Sequence, residues 1–134
     1  MRYVFLVLFV GSLSFSFAQK KILTKTWKVV EIKAVPLNSD SIELPWIVLD
    51  NNKLSGFSAC NRMMGEYSLD RKKIKFHTLG STKMLCMDAA NTVERQFFDA
   101  LEKATRWKIK RKKLYMFDEN STCILKFKSH NSEK

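Results

Sequence analysis

Two cysteines, Cys60 and Cys86, bracket a stretch that turns back on itself, and this bracket limits the possible folds more than any other feature. Between them Tyr67 and Leu69 alternate with Glu66 and Ser68. Asp70-Arg71-Lys72-Lys73 supplies a polar turn, and Ile74, Phe76 and Thr78 alternate with Lys75 and His77 on the return. Period-two alternation on both sides of a turn predicts a β-hairpin with Tyr67 facing inward. Gly65, just ahead of it, suits a backbone geometry or a close approach that a side chain would block.

The first 18 residues read as a secretory signal. Arg2 gives a positive start, Val4 to Val10 is an unbroken apolar run, and Ser16-Phe17-Ala18 places small residues where a signal peptidase reads. Gly11, Ser12, Ser14 and Ser16 make the stretch too short and too polar for a membrane anchor, which needs about 20 apolar residues. The expectation is an exported protein, periplasmic or secreted, cleaved after Ala18. It has no transmembrane anchor after cleavage and a single domain over residues 19–134. The 24 Lys and Arg, less Arg2, leave 23 cationic side chains against 13 Asp and Glu. Such a protein is drawn to anionic surfaces, although a basic balance also serves solubility alone.

Along the chain, Thr26 to Val35 reads as a first strand whose inward phase shifts near Val29, as a bulge would cause. Pro45 to Leu49 and Leu54 to Ser58 follow as strands, separated by the turn Asp50-Asn51-Asn52-Lys53. After the hairpin comes an amphipathic helix with Val93, Phe97, Ala100, Leu101 and Ala104 on one face. Asn91 is its expected cap, with Glu94 reaching back as in a capping box, and Asp99–Lys103 and Glu102–Arg106 as i,i+4 pairs. Three strands close the chain around Trp107, Leu114 to Phe117, and Cys123 to Phe127. The fold class expected is α+β, mainly antiparallel β: a small, partly open barrel or curved sheet of about seven or eight strands with one packed helix.

Four pieces of the sequence come in a familiar order and spacing. They are Leu23 to Val29; Cys60-Asn61-Arg62 with Gly65 and Tyr67; Thr82-Lys83-Met84-Leu85-Cys86 with Asp88; and Glu94-Phe97-Leu101. Together they resemble the META/HslJ-like family and span most of the chain after residue 18. The resemblance implies a small bacterial envelope domain of antiparallel β structure with one packed helix. Members are linked to the envelope, to stress responses and in some cases to motility or virulence, mostly without a defined biochemical act. The chain departs from the family in Ala59, where glycine is usual, and in Met87, where proline is frequent.

An exported chain permits a disulfide, and turn-like segments flanking one hairpin make Cys60 and Cys86 the pair; the alternative is two buried thiols. Cys123, mid-strand on an apolar face, is the expected free thiol. The cysteine spacing offers no zinc site, and no metal or cofactor is implied. No nucleophile elbow, phosphate-cradling loop or histidine pair is present; His77 falls outward and His130 lies in the tail. The chain therefore reads as non-enzymatic. Asn61 is read as a side chain bonded to loop backbone, whereas for Arg62 a structural and a ligand role stay open.

Arg106, Lys108, Lys110, Arg111, Lys112 and Lys113 place six cations among eight residues. Edge protection of a strand explains such lysines, and so does an anion-binding surface. Nucleic acid ranks last as a partner because Trp107 points to the opposite face. The leading expectation is a non-enzymatic binding or stress-related envelope domain whose partner is an anionic envelope component or another envelope protein. The alternatives are a carrier of lipid or a small apolar ligand and an inhibitor or partner of another secreted protein.

Overall fold

The computed structural model describes residues 24–130, so the signal segment and the expected start at Gln19 lie outside the described residues. The described residues form eight strands and one helix. The strands are β1 (Thr26–Ile32), β2 (Trp46–Asp50), β3 (Lys53–Phe57), β4 (Arg62–Asp70), β5 (Lys73–Ser81), β6 (Arg106–Lys110), β7 (Lys113–Phe117) and β8 (Cys123–His130). Helix α1 (Asp88–Lys103) lies between β5 and β6. Each strand pairs antiparallel with the next, and β8 returns to β1, closing a ring.

The ring is uneven. β1 and β8 pair from Thr26↔His130 to Ile32↔Leu125, whereas β5 and β6 share only Lys73↔Arg106. Beyond that point α1 runs back beside β5 and packs against β5, β1 and β8, filling the open side as the amphipathic pattern implied. Its buried residues are Ala90, Val93, Phe97, Ala100 and Leu101. The Phe97 ring meets Phe127 of β8 edge-on, with centroids 6.3 Å apart. Inward positions of the strands fill the rest of the interior with Trp27, Val29, Ile47, Leu49, Leu54, Met63, Leu114, Met116 and Leu125. A ring of eight strands leaves room for side chains and little more.

Three irregularities shape the wall. The first is the bulge expected in β1: register shifts between Val29 and Glu31, so Val30 points out and Ile32 returns to the core. The strand ends at Ile32 rather than Val35, because the chain turns through Ala34 with φ of 59°. The second faces Gly65. Met64 pairs with Gly80 but Glu66 with His77, so Thr78 and Leu79 together oppose one glycine. A Cβ on Gly65 would lie 2.7 Å from Leu79 Cδ2, so the absent side chain admits Leu79 to the core margin. The same bulge turns Thr78 outward, against the inward position expected from alternation. The third, between Met116 and Phe117, leaves Ile124 buried with no residue opposite it on β7. Cys123 consequently starts β8 half-buried instead of sitting mid-strand in the core.

The helix start also differs from expectation. It begins at Asp88 behind Met87, which gives no side-chain cap. Asn91 lies inside the first turn and donates to the Cys86 carbonyl at 3.0 Å, and Glu94 bonds elsewhere. Asp99 and Lys103 do pair, at 2.7 Å. Arg106 belongs to β6, so it has no helical relation to Glu102.

Candidate functional site

The corner between β3 and β4 is held by Ser58 and Asn61, both almost fully buried. Asn61 Oδ1 accepts from the Met84 backbone N–H at 2.7 Å and from the Thr82 hydroxyl at 3.1 Å. Its amide nitrogen donates to both carboxylate oxygens of Glu94 at 3.1 Å. The Asn61 backbone N–H also reaches Glu94 at 3.1 Å, and the Ser58 hydroxyl donates to the same carboxylate. A buried amide is stable only when each of its groups finds a partner, and here each does. Asn61 thus ties three segments together: its own corner, the loop at Thr82–Met84 and the helix. Its groups are consumed by the fold, so the structural reading applies.

Cys60 and Cys86 are disulfide-bonded with α-carbons 5.9 Å apart, inside the window such a bond requires. Cys123 is free, and burial pushes its thiol above the ordinary value. The bond and the Asn61 contacts fix a loop whose tip is apolar and exposed. Leu85 is 100% exposed, and Met84 and Met87 are each 67% exposed. Sequence reasoning treated this loop as motif alone; three large apolar residues within four positions of a stapled turn were the available signal. Among the described residues no group of His, Cys, Asp or Glu comes together in a way that could hold a metal ion.

The basic stretch forms the β6–β7 hairpin. Arg106, Lys108 and Lys110 face outward while Trp107 is buried, and Arg111 and Lys112 make the turn. A second cationic turn stands beside it. The Trp107 backbone N–H donates to the Lys72 carbonyl at 3.0 Å, and Lys72 Nζ lies 5.3 Å above the Trp107 ring. Arg71, Lys72 and Lys73 therefore join the same region, an association the linear sequence did not reveal.

Across the strands the pairing aligns lysines. Lys110 stands opposite Lys113, Lys113 opposite Lys128, and Lys128 opposite Lys28. Among the described residues none of these four is in an ion pair, in contrast to Lys126, which bonds Glu31 at 2.8 Å. That hydrogen bond holds the Lys126 ammonium above its usual pKa. Like charges directly opposite one another destabilise a sheet. The turn adds a further cost, because Arg111 and Lys112 both take positive φ, 52° and 60°, where Asn-Gly is the favoured pair. Arg62 is exposed at the start of β4; its backbone N–H donates to Thr82 Oγ1 at 3.2 Å.

Comparison with known proteins places this geometry. The sequence matches the META domain across residues 20–131. The chain belongs to the META domain family. Among solved structures this META domain is similar to a protein from Burkholderia xenovorans determined by NMR. That pair shares 27% identity over 85% of this chain and 88% of the other, with a TM-score of 0.69. A second NMR structure matches at 21% identity, covering 81% and 92%, with a TM-score of 0.63. A DUF4847 family protein from Bacteroides vulgatus matches at 14% identity, covering 87% and 99%, with a TM-score of 0.61. These last two show the shared fold alone. No curated protein matches the chain.

Proposed function

We propose that this META domain is a non-catalytic binding module of the cell envelope, exported after removal of residues 1–18, that docks on an anionic envelope component. One observation carries the reading: the unpaired row Lys110, Lys113, Lys128 and Lys28. Edge protection accounts for lysines on β6, whose outer edge is open beyond Arg106. It does not account for Lys113, Lys128 and Lys28, which belong to strands paired on both sides. An anion on this wall offsets the repulsion among them.

The test is binding to acidic vesicles and to a soluble polyanion across a salt series. Affinity falls steeply with salt, because exposed charges are screened over roughly 8–10 Å near physiological ionic strength. Changing Lys108 and Lys110 to Glu weakens binding and leaves the melting temperature nearly unchanged. Salt-independent binding, or none, refutes the dock and leaves edge protection for the lysines of β6 alone. Export is checked separately: N-terminal sequencing of protein from intact cells should find Gln19, and Met1 would refute it.

The exposed Met84, Leu85 and Met87 favour a second reading, contact with another envelope protein, since a fixed apolar tip on a soluble surface marks an interaction site. Affinity capture that retains a partner with the native chain and loses it with Leu85→Asp supports this reading. For a carrier role, one surface depression among the described residues, of about 360 Å³ between Val35–Ile42 and the first turns of α1, offers space outside the filled ring.

A further inference from the structure

The lysine row does not stop at Lys28. Lys28 pairs with Trp46, Trp46 with Phe57, and Phe57 with Arg62. Directly opposed residues of an antiparallel pair point to the same face. Here that face is the outer one, because Trp27, Val29, Ile47, Gly56 and Met63 beside them are buried. The three register shifts of the wall all fall elsewhere. One uninterrupted line of side chains therefore crosses the wall from Lys110 at the β6–β7 turn to Arg62 at the β3–β4 corner. Its members are one strand spacing apart, about 4.8 Å. Four lysines lead it, two half-buried aromatics follow, and an arginine ends it.

Beside the aromatic part lies a depression of about 280 Å³ lined by Thr26, Lys28, Glu43, Trp46 and His130. Glu43 Oε1 accepts from Trp46 Nε1 at 3.3 Å and so orients the indole. The depression offers a hydroxyl, a carboxylate, an ammonium and an imidazole around one aromatic ring.

We infer that this line is a binding track for an acidic polysaccharide. The inference rests on the anionic-dock reading above and goes past it by naming the polymer and its path. Anionic groups of successive sugars sit on the lysines and on Arg62. The apolar face of a sugar ring covers Trp46 and Phe57, while its hydroxyls donate to Glu43 and bond Thr26 and His130. A flat bilayer touches only part of a convex wall, whereas a flexible chain follows the line around it. Single-stranded nucleic acid also stacks on aromatics, but it carries fewer hydroxyls per unit than a sugar polymer to meet Thr26, Glu43 and His130 around the ring. The aromatic in question is Trp46, outside the basic stretch, rather than the buried Trp107.

Titration of the whole mature chain with polygalacturonate tests the track. Trp46→Ala should bind at least roughly fivefold more weakly, the low end for a ring stacked on an aromatic side chain, with little change in salt dependence. Lys113→Glu should flatten the dependence of affinity on salt, since fewer counterions are released. Arg62→Gln should weaken binding although it lies far from the basic stretch in sequence. In the unaltered protein, polygalacturonate should move the Trp46 indole N–H resonance, a readout that does not require any variant to fold. Native affinity in both Trp46→Ala and Arg62→Gln, or a stationary indole resonance, overturns the track while the dock stands. Tighter binding to oligothymidylate or to phosphatidylglycerol vesicles than to polygalacturonate overturns the choice of polymer. No binding to any of the three overturns the dock itself.

Discussion

Both carboxylate oxygens of Glu94 lie 3.1 Å from the side-chain nitrogen of Asn61, tying the second turn of α1 to the corner between β3 and β4. Asn61→Ala strips partners from Glu94 and from the Met84 N–H together, and should cost about 3 kcal/mol in chemical denaturation. Glu94→Gln keeps an acceptor for Ser58 and should cost about 1 kcal/mol. Asn61→Asp sets two carboxylates against each other. It should be the least stable of the three at neutral pH and recover as pH falls and one of the pair takes a proton. No loss in Glu94→Gln, together with no recovery of Asn61→Asp at low pH, would show that Glu94 contributes nothing to the corner.

The disulfide encloses a separation of 26 residues, for which loop-closure entropy gives about 3.5 kcal/mol. Cys60→Ser, Cys86→Ser and the double change should lose the same amount, because a broken bond cannot be broken again. Denatured, unreduced protein should label at one thiol, Cys123. In the folded protein burial raises that thiol's pKa, so its neutral form is favoured. Any stability from this shift is complete below the unfolded thiol pKa and disappears as pH rises through the folded one. Alkylation near pH 8.5, the value of a free thiol, should therefore be slower folded than unfolded, and the gap should narrow at higher pH.

Ala59 is buried with φ of 89°, a conformation in which a Cβ is strained and glycine is not. Ala59→Gly should therefore raise stability by about 1 kcal/mol in spite of the greater freedom it gives the unfolded chain. A loss of stability on thermal or urea unfolding would mean that the Ala59 methyl contributes more to the core than its backbone costs.

The strained turn offers a separation of stability from binding. Replacing Arg111-Lys112 by Asn-Gly relieves two left-handed residues and should stabilise the hairpin by about 1–2 kcal/mol. The same change removes two cations and should weaken polyanion binding with a shallower salt dependence. Greater stability with undiminished binding would place the anion site elsewhere on the wall.

Alternation along Tyr67–Leu69 and Ile74–Phe76 displayed the central hairpin, and the phase change near Val29 displayed the first bulge, because both are local properties of one or two strands. The helix face around Phe97 was equally plain. What escaped the sequence was registration between distant segments. The spacing of Asn91 and Glu94 imitates a capping box, but Glu94 finds better partners in Ser58 and Asn61, more than thirty residues away. Cys123 looked inward until the bulge at Ile124 shifted its phase. Lys28, Lys113 and Lys128 are unremarkable singly, and only the pairing of four strands brings them into line with Lys110. The family motif includes the corner at Asn61, yet it said nothing of the neighbouring Trp46 and Phe57, which carry no motif.

The pairing of Thr26 with His130 joins the two ends of the described chain. Every other strand pairing joins strands consecutive in order. All of these but β5–β6, which the helix separates, are close in sequence, so hairpins can assemble locally while this last seam waits on a long loop closure. Until β8 arrives, β1 presents a bare backbone edge, and a bare edge is a template for a strand from another molecule. A copy truncated before Cys123, or one still being synthesised, therefore meets a second copy with its own missing partner to offer. Covering that edge falls to β8, the strand that is made last of the eight.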